Sequence, residues 1–283
     1  MSGRGGRPKT TVKPMILASW RSLIWVLRRA DIVLEVVDAR DPMSTRSRRL
    51  ERLVHSMGKE LIIVINKSDL VPRDVAEKWK KLFEDRGFRA VYIAARDHKG
   101  TRRLRVAIRE AASSFPAVVA VTGFPKTGKS SIINALKGRH SASTSPIPGS
   151  PGYTTHAQLY RIGENLYMID TPGVIPIEGG PLEAIIRGYP PEQLKDPVRP
   201  AVMLLEKALR YNPRCVENAY GIKERDPYKI LELIAIKRGW RYKSDGEPLI
   251  EEAARTVIRD YHRGKLLFYV PPEEYLLSAS RRR

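Results

Sequence analysis

A chain of 283 residues with 42% hydrophobic content is long enough for one domain of ordinary size and a smaller second one, which sets it apart from disordered chains. Lys and Arg total 51 against 31 Asp and Glu, a formal charge of +20 that favours a polyanionic partner, RNA first, over a generally basic solvated surface. The single cysteine, Cys215, excludes a disulfide framework or a Cys-rich zinc site within the chain and suits a reducing, cytoplasmic setting, and no apolar run is long enough to cross a bilayer as a helix.

Residues 1–13 combine glycine with positive charge and read as a disordered basic arm. Met15–Leu27 is apolar enough to suggest a leader, but Arg21 interrupts it and no small-residue cleavage site follows, so the stretch is expected to be an amphipathic helix. Onward to residue 178, short β-rich runs alternate with segments of helical length, which predicts an α/β domain over 14–178 with a mostly parallel sheet. Six strands are expected, at 31–37, 61–65, 90–94, 117–122, 157–162 and 165–169. The Ser/Pro/Gly-rich stretch from Gly138 to Thr155 is expected to form a mobile loop without any regular element.

Beyond Gly180 the character changes. Asp196-Pro197 and Asp226-Pro227 each place a capping residue before a first-turn proline, so a helix should begin at each. A further helix over about 248–263 carries Leu249, Ala253, Val257 and Tyr261 along one side and can end at Gly264. Residues 179–283 are therefore expected to form a smaller all-α domain.

Three motifs carry the chemistry. Gly123-Phe-Pro-Lys-Thr-Gly-Lys-Ser130 lies between a predicted strand and a predicted helix, as a phosphate loop requires: Gly123, Lys126, Thr127, Gly128 and Ser131 contribute backbone, Lys129 reaches the outer phosphates, and Ser130 ligates magnesium. Asn66-Lys67-Ser68-Asp69 follows a strand; the Asp69 carboxylate can accept two hydrogen bonds from a guanine edge, an edge that adenine lacks. Asn66 can bond the base or tie neighbouring loops together, and the stem of Lys67 can lie on the ring. Asp170-Thr-Pro-Gly173 also follows a strand; its carboxylate can hold a magnesium-bound water and the Gly173 N–H can meet the terminal phosphate. The order is rotated relative to most GTPases, with the guanine motif first, which is harmless because all three loops sit at carboxyl ends of strands.

With Asp38-Ala39-Arg40-Asp41-Pro42 and Pro151-Gly152-Tyr153-Thr154 added to these motifs, the chain resembles the circularly permuted GTPases of the YlqF/YawG type, a family acting in large ribosomal subunit assembly; Arg259-Asp260-Tyr261, Gly264-Lys265 and Phe268-Tyr269 are similar to its nucleolar branch. The resemblance implies that GTP and GDP bind with Mg2+, that Thr154 is the switch threonine on the metal, and that Ala94-Ala95-Arg96 is a second guanine loop in which the Ala95 N–H meets the base oxygen. Lys129, Thr154 and Gly173 are then the catalytic group, joined by Lys126. Val174 stands where Ras-type enzymes place a water-orienting glutamine, so unaided hydrolysis should be slow. Relatives place Asn where this chain has Lys126, which puts K+ dependence in doubt: the Lys126 ammonium either supplies the missing positive charge or faces solvent. Asp38–Arg40 has no nucleotide chemistry derivable from its residues, and its simplest reading is a strand end capping the next helix.

For the polyanion, Arg255, Arg259 and Arg263 recur every fourth residue on the last predicted helix and are continued by Lys265, as an RNA-tracking stripe or a solvated face. Lys237, Arg238, Arg241 and Lys243 surround Trp240 and Tyr242, a mixture suited to phosphate contact with base stacking unless Trp240 is core. Arg46, Arg48, Arg49 and Arg52 add charge near the nucleotide face. The leading expectation is a monomeric, membrane-free GTPase that binds ribosomal RNA and assembles the large subunit. The alternatives are a regulatory GTPase with protein effectors, or an RNA-binding scaffold that uses GTP for stability.

Overall fold

The computed structural model describes residues 19–137, 143–146, 158–169 and 173–275. The basic arm, Thr154 and Asp170 lie outside these residues. All six expected strands form, as β1 (Ile32–Asp38), β2 (Glu60–Asn66), β3 (Arg89–Tyr92), β4 (Ala117–Gly123), β6 (Gln158–Gly163) and β7 (Leu166–Ile169). Two short strands join them, β5 (Ser143–Pro146) and β8 (Gly173–Val174), so among the described residues the sheet has eight strands in the order β3-β2-β1-β4-β7-β6-β5, with β8 also on β4. The expected loop over 138–155 is thus corrected at Ser143–Pro146, which pairs antiparallel with β6. An edge strand needs only backbone partners on one side, so it leaves little trace in side-chain pattern.

β1 is buried along its whole length, because it is paired in parallel with β2 on one side and β4 on the other and is covered on both faces. On one face Ile32, Leu34 and Val36 pack with Leu104 and Ile108 of α5 (Thr101–Ala111) and Ile132 and Leu136 of α6 (Lys129–Lys137). On the other, α1 (Trp20–Arg29) and α3 (Arg48–Ser56) cover Val33, while α4 (Arg73–Glu84) covers Val37 and Ile63. The side chain of Ser19 caps α1 by accepting from the Ser22 N–H at 3.2 Å. Between β1 and α3 lies the one-turn α2 (Pro42–Thr45).

A separate apolar core is built from α7 (Pro181–Ile186), α8 (Val198–Tyr211), α9 (Cys215–Tyr220), α10 (Pro227–Lys237) and α11 (Ile250–Arg263). Two capping signals act as read: Asp226 accepts from the N–H groups of Tyr228 and Lys229, and Gly264 closes α11 at φ 82°; α8 instead begins after Pro197, with Asp196 accepting from the Val198 N–H just ahead of it. The chain then turns back to the sheet. Val270 donates to the Arg40 carbonyl at 2.8 Å, and its own carbonyl takes the Trp79 indole N–H at 3.3 Å. Tyr275 packs on that indole with ring centroids 5.6 Å apart, so residues 269–275 serve the α4 side of the sheet.

Trp79 is fully buried at this junction. Trp79→Ala is expected to lower the unfolding free energy by about 3–5 kcal/mol, read from urea titration; a loss below about 1 kcal/mol would show that the returning segment does not depend on it.

Candidate nucleotide site

The parallel strands place their carboxyl ends along one rim. Asp38 at the end of β1 lies opposite Asn66 at the end of β2, and Val36 lies opposite Gly123 at the end of β4. The strand order departs in both directions from the β1/β4 pair, which makes this rim the crevice where open α/β sheets bind ligands.

Asn66 holds the loops together. Its amide donates to the Thr127 carbonyl in the phosphate loop at 2.9 Å, and its carbonyl oxygen accepts the Ala95 N–H at 3.1 Å. Of the two roles open to Asn66, the structure supports the tie between loops. The Ala95 N–H, expected to meet the base oxygen, donates to Asn66 in this structure. Gly128 explains its own identity: at φ 99°, a Cβ would lie 2.1 Å from the Asn66 amide nitrogen, so no side chain fits beneath this clasp. Asp69 sits exposed in a short 3-10 turn, Ser68–Leu70, with no hydrogen bond to its carboxylate among the described residues.

Lys129 is buried, and its ammonium donates to the Phe124 carbonyl at 2.6 Å, within the loop it would serve. Burial pulls its pKa down to about 7, because no carboxylate of the described residues pairs with it. Ser130 stands exposed in the first turn of α6. Gly173 lies beside Thr122, one residue before the phosphate loop, and Val174 is in strand pairing with Gly123. Lys126 adopts φ 62° and is exposed, with no ion pair among the described residues, which matches its solvent-facing reading.

Asp38-Ala39-Arg40 proves to be a buried clamp. The Arg40 guanidinium binds the Asp38 carboxylate through two nitrogens, at 3.0 and 2.8 Å, and the Lys67 ammonium reaches the same carboxylate at 2.6 Å. Burial by itself would raise the Asp38 carboxyl, but the two cations hold it well below the usual carboxylate range. Arg40 also donates to the Tyr261 carbonyl at 2.6 Å and lies 4.2 Å over its ring. The helix cap expected here belongs instead to Asp41, which accepts from the Ser44 N–H and pairs with Lys207 of α8 at 2.6 Å.

Sequence reasoning missed α7. Gly188, just after it, abuts the phosphate loop so closely that a Cβ would lie 2.5 Å from the Pro125 carbonyl oxygen. Arg187 stacks 4.8 Å from the Phe124 ring and donates to the carbonyls of Ser44 and Glu178. His262 of α11 bonds the Ile185 carbonyl at 2.8 Å, and burial lowers its pKa to about 4. No local pattern marks these contacts, because they join segments far apart in the chain.

The basic residues divide sharply. Arg255 pairs with Glu251 and Glu252, both at 3.2 Å, and Arg259 pairs with Glu192 and Glu252 at 3.7 and 3.5 Å, so much of the stripe on α11 is an ion-paired face; Arg263 is exposed. Lys265 faces Asp260 at 3.5 Å. Arg46 is buried against Glu51, and Arg49 pairs with Glu178, so neither is free for a partner.

Comparison with known proteins agrees with this geometry. The RsgA GTPase family model matches residues 26–178. An uncharacterised GTP-binding protein of Methanocaldococcus jannaschii is 35% identical over 86% of this chain and 65% of its own length. Nucleolar GTP-binding protein 2 of Neurospora crassa is 32% identical over 90% of this chain and 42% of its own. The chain thus spans less than two thirds of these relatives. The GDP-bound structure of YlqF superimposes with a TM-score of 0.64 at 26% identity, covering 89% of this chain and all of that one, which establishes the circularly permuted fold. The cytoplasmic expectation is corrected: the eukaryotic relative carries a nucleolar name. A lone cysteine does not separate one reducing compartment from another, and the nucleus and the cytosol are both reducing.

Two outcomes test the site. Asp38→Asn leaves Arg40 and Lys67 without their counter-charge and is expected to cost about 3–5 kcal/mol in urea unfolding, where a loss below about 1 kcal/mol would contradict the clamp. Phosphate beside Lys129 would raise its pKa above the free value of about 7, so nucleotide binding should take up a proton at pH 8 and weaken as pH rises. Calorimetry in two buffers of different ionisation enthalpy should detect that uptake, and identical heats would exclude it.

Proposed function

The chain belongs to the RsgA GTPase family, and from that premise we propose that it binds and hydrolyses GTP and acts in assembly of the large ribosomal subunit through contacts with ribosomal RNA. The observation that carries the nucleotide part is the bridge by Asn66 between Thr127 and Ala95, which brings the phosphate loop and the base-reading loop together beside the open Asp69 carboxylate. Asp69 accepts from the ring N–H and exocyclic amine of guanine. With the Ala95 N–H taken, the neighbouring N–H of Arg96, at the start of the 3-10 turn Ala95–Asp97, meets the base oxygen, since the first amides of such a turn lack partners within it.

The residues fit a triphosphate. Lys129 offers three donors and spends one on the Phe124 carbonyl, which leaves two for phosphate oxygens. Magnesium, when bound, screens the charge on the outer phosphates; Ser130 would hold it, joined by Thr154 and Asp170 as the family resemblance implies. Lys129 and the Gly173 N–H stabilise the charge that develops on the terminal phosphate. Val174 offers no polar atom to orient water, so a partner supplies what the side chain lacks. The +20 charge supports a nucleic-acid partner.

Asp69→Asn should weaken GTP about a hundredfold by removing two charge-assisted hydrogen bonds, with weak ATP binding unchanged, as measured by nucleotide titration; retained guanine preference would overturn the base assignment. Turnover should rise on the order of tenfold or more when large ribosomal subunits are added. An equal response to small subunits, or none, would remove the large subunit from the reading.

A further inference from the structure

The unabsorbed feature of the helical core is a cavity of about 320 Å³ lined by Tyr220, Ile222, Ile234, Lys237, Arg238 and Lys265. Three cations from two separate stretches of chain converge on it. The buried Tyr220 hydroxyl lies against the Asp260 carboxylate, and among the described residues neither it nor Oδ2 of Asp260 makes a well-formed hydrogen bond. Burial first, and then the Asp260 charge, raise the Tyr220 pKa, so its hydroxyl stays protonated and able to donate. Buried polar groups left unpaired are uncommon in native structures, and such an orphan among cations suits a ligand with acceptor oxygens.

The surroundings narrow the ligand. Lys237-Arg-Gly-Trp-Arg-Tyr-Lys243 contains four cations and no acid. Its second half begins a short reverse turn in which the Leu249 N–H donates to the Trp240 carbonyl at 2.9 Å and the Tyr242 N–H donates to the Glu247 carbonyl at 2.8 Å. Arg238 lies 5.2 Å from the half-buried Trp240 ring, and Tyr242 stands 47% exposed. Cations beside an exposed aromatic platform are what a single strand of nucleic acid requires: phosphate in the cavity and a base stacked outside it. Asp260 opposes an anion, but its ion pair with Lys265 is long, at 3.5 Å, and the three cations outnumber it.

We propose that this cavity binds a phosphate of single-stranded RNA, with Tyr220, Arg238 and Lys265 as its donors and the exposed Tyr242, four residues along the chain from Arg238, as the stacking surface for a neighbouring base. The site rests on the RNA-partner reading above and relocates the contact from the ion-paired α11 stripe to the ends of α9 and α10. Lys237 already donates to the Tyr220 carbonyl at 2.7 Å, so it is structural and is left intact in the test.

The test uses the full chain and fluorescence anisotropy with a labelled single-stranded uridine oligonucleotide over a range of KCl. Tyr220→Phe should weaken binding about tenfold with little change in melting temperature, because the lost hydroxyl makes no well-formed hydrogen bond among the described residues of the free protein. Arg238→Gln with Lys265→Gln should reduce the slope of log affinity against log salt by about 0.7, the share of one phosphate. GTP affinity should remain at the wild-type value in both. If Arg255→Ala with Arg259→Ala abolishes binding while the cavity variants behave as wild type, the cavity assignment fails and the RNA reading stands. If the wild-type chain binds no oligonucleotide, both fall. Saturation by inorganic phosphate alone, without oligonucleotide binding, would mark a free-anion site and overturn the RNA assignment.

Discussion

The Asp38 carboxylate, buried between the Arg40 guanidinium and the Lys67 ammonium, is the constraint on which the nucleotide rim depends. A carboxylate withdrawn from water is tolerated only when its charge is answered, and here the answers come from both sides of the molecule. Lys67 belongs to the Asn66–Asp69 loop that follows β2. Arg40 reaches on to the Tyr261 carbonyl and ring in α11, and its own carbonyl receives the Val270 N–H from the segment that returns to the sheet. One ion triad therefore sets the position of the Asn66–Asp69 loop relative to the last helix.

Asn66 does for the phosphate loop what Asp38 does for the helical core. Its two hydrogen bonds place Thr127 and Ala95 on either side of it, and Gly128 exists to let it close. The Ala39 N–H in turn donates to the Asn66 backbone carbonyl at 2.8 Å, so the clamp and the clasp share a strand end. The phosphate loop is also met from outside the sheet, where Gly188 and Arg187 press on Pro125 and Phe124. Such networks hold a site in one geometry before ligand arrives.

Much of this was legible in the sequence, and the parts that were not share a cause. Period and punctuation placed β1 to β4, β6 and β7 and the capped ends at Asp226 and Gly264, because these signals are local. Asp38-Ala-Arg was visible as a signature without a role, since its partners Lys67 and Tyr261 come from distant segments. The Arg255–Arg259 stripe was read as an RNA-tracking row or a solvated face in which Glu251 pairs with Arg255; that pair forms, while Glu192 reaches Arg259 only through the fold. Ser143–Pro146 was read as loop because an edge strand borrows its order from β6.

Hydrogen exchange followed with and without GDP tests the central claim most directly. If the triad joins the Asn66–Asp69 loop to the last helix, GDP should slow exchange in Ser68–Leu70 and equally in the C-terminal turn of α11 around Tyr261. Protection confined to the sheet loops, with α11 exchanging as in the free protein, would contradict it.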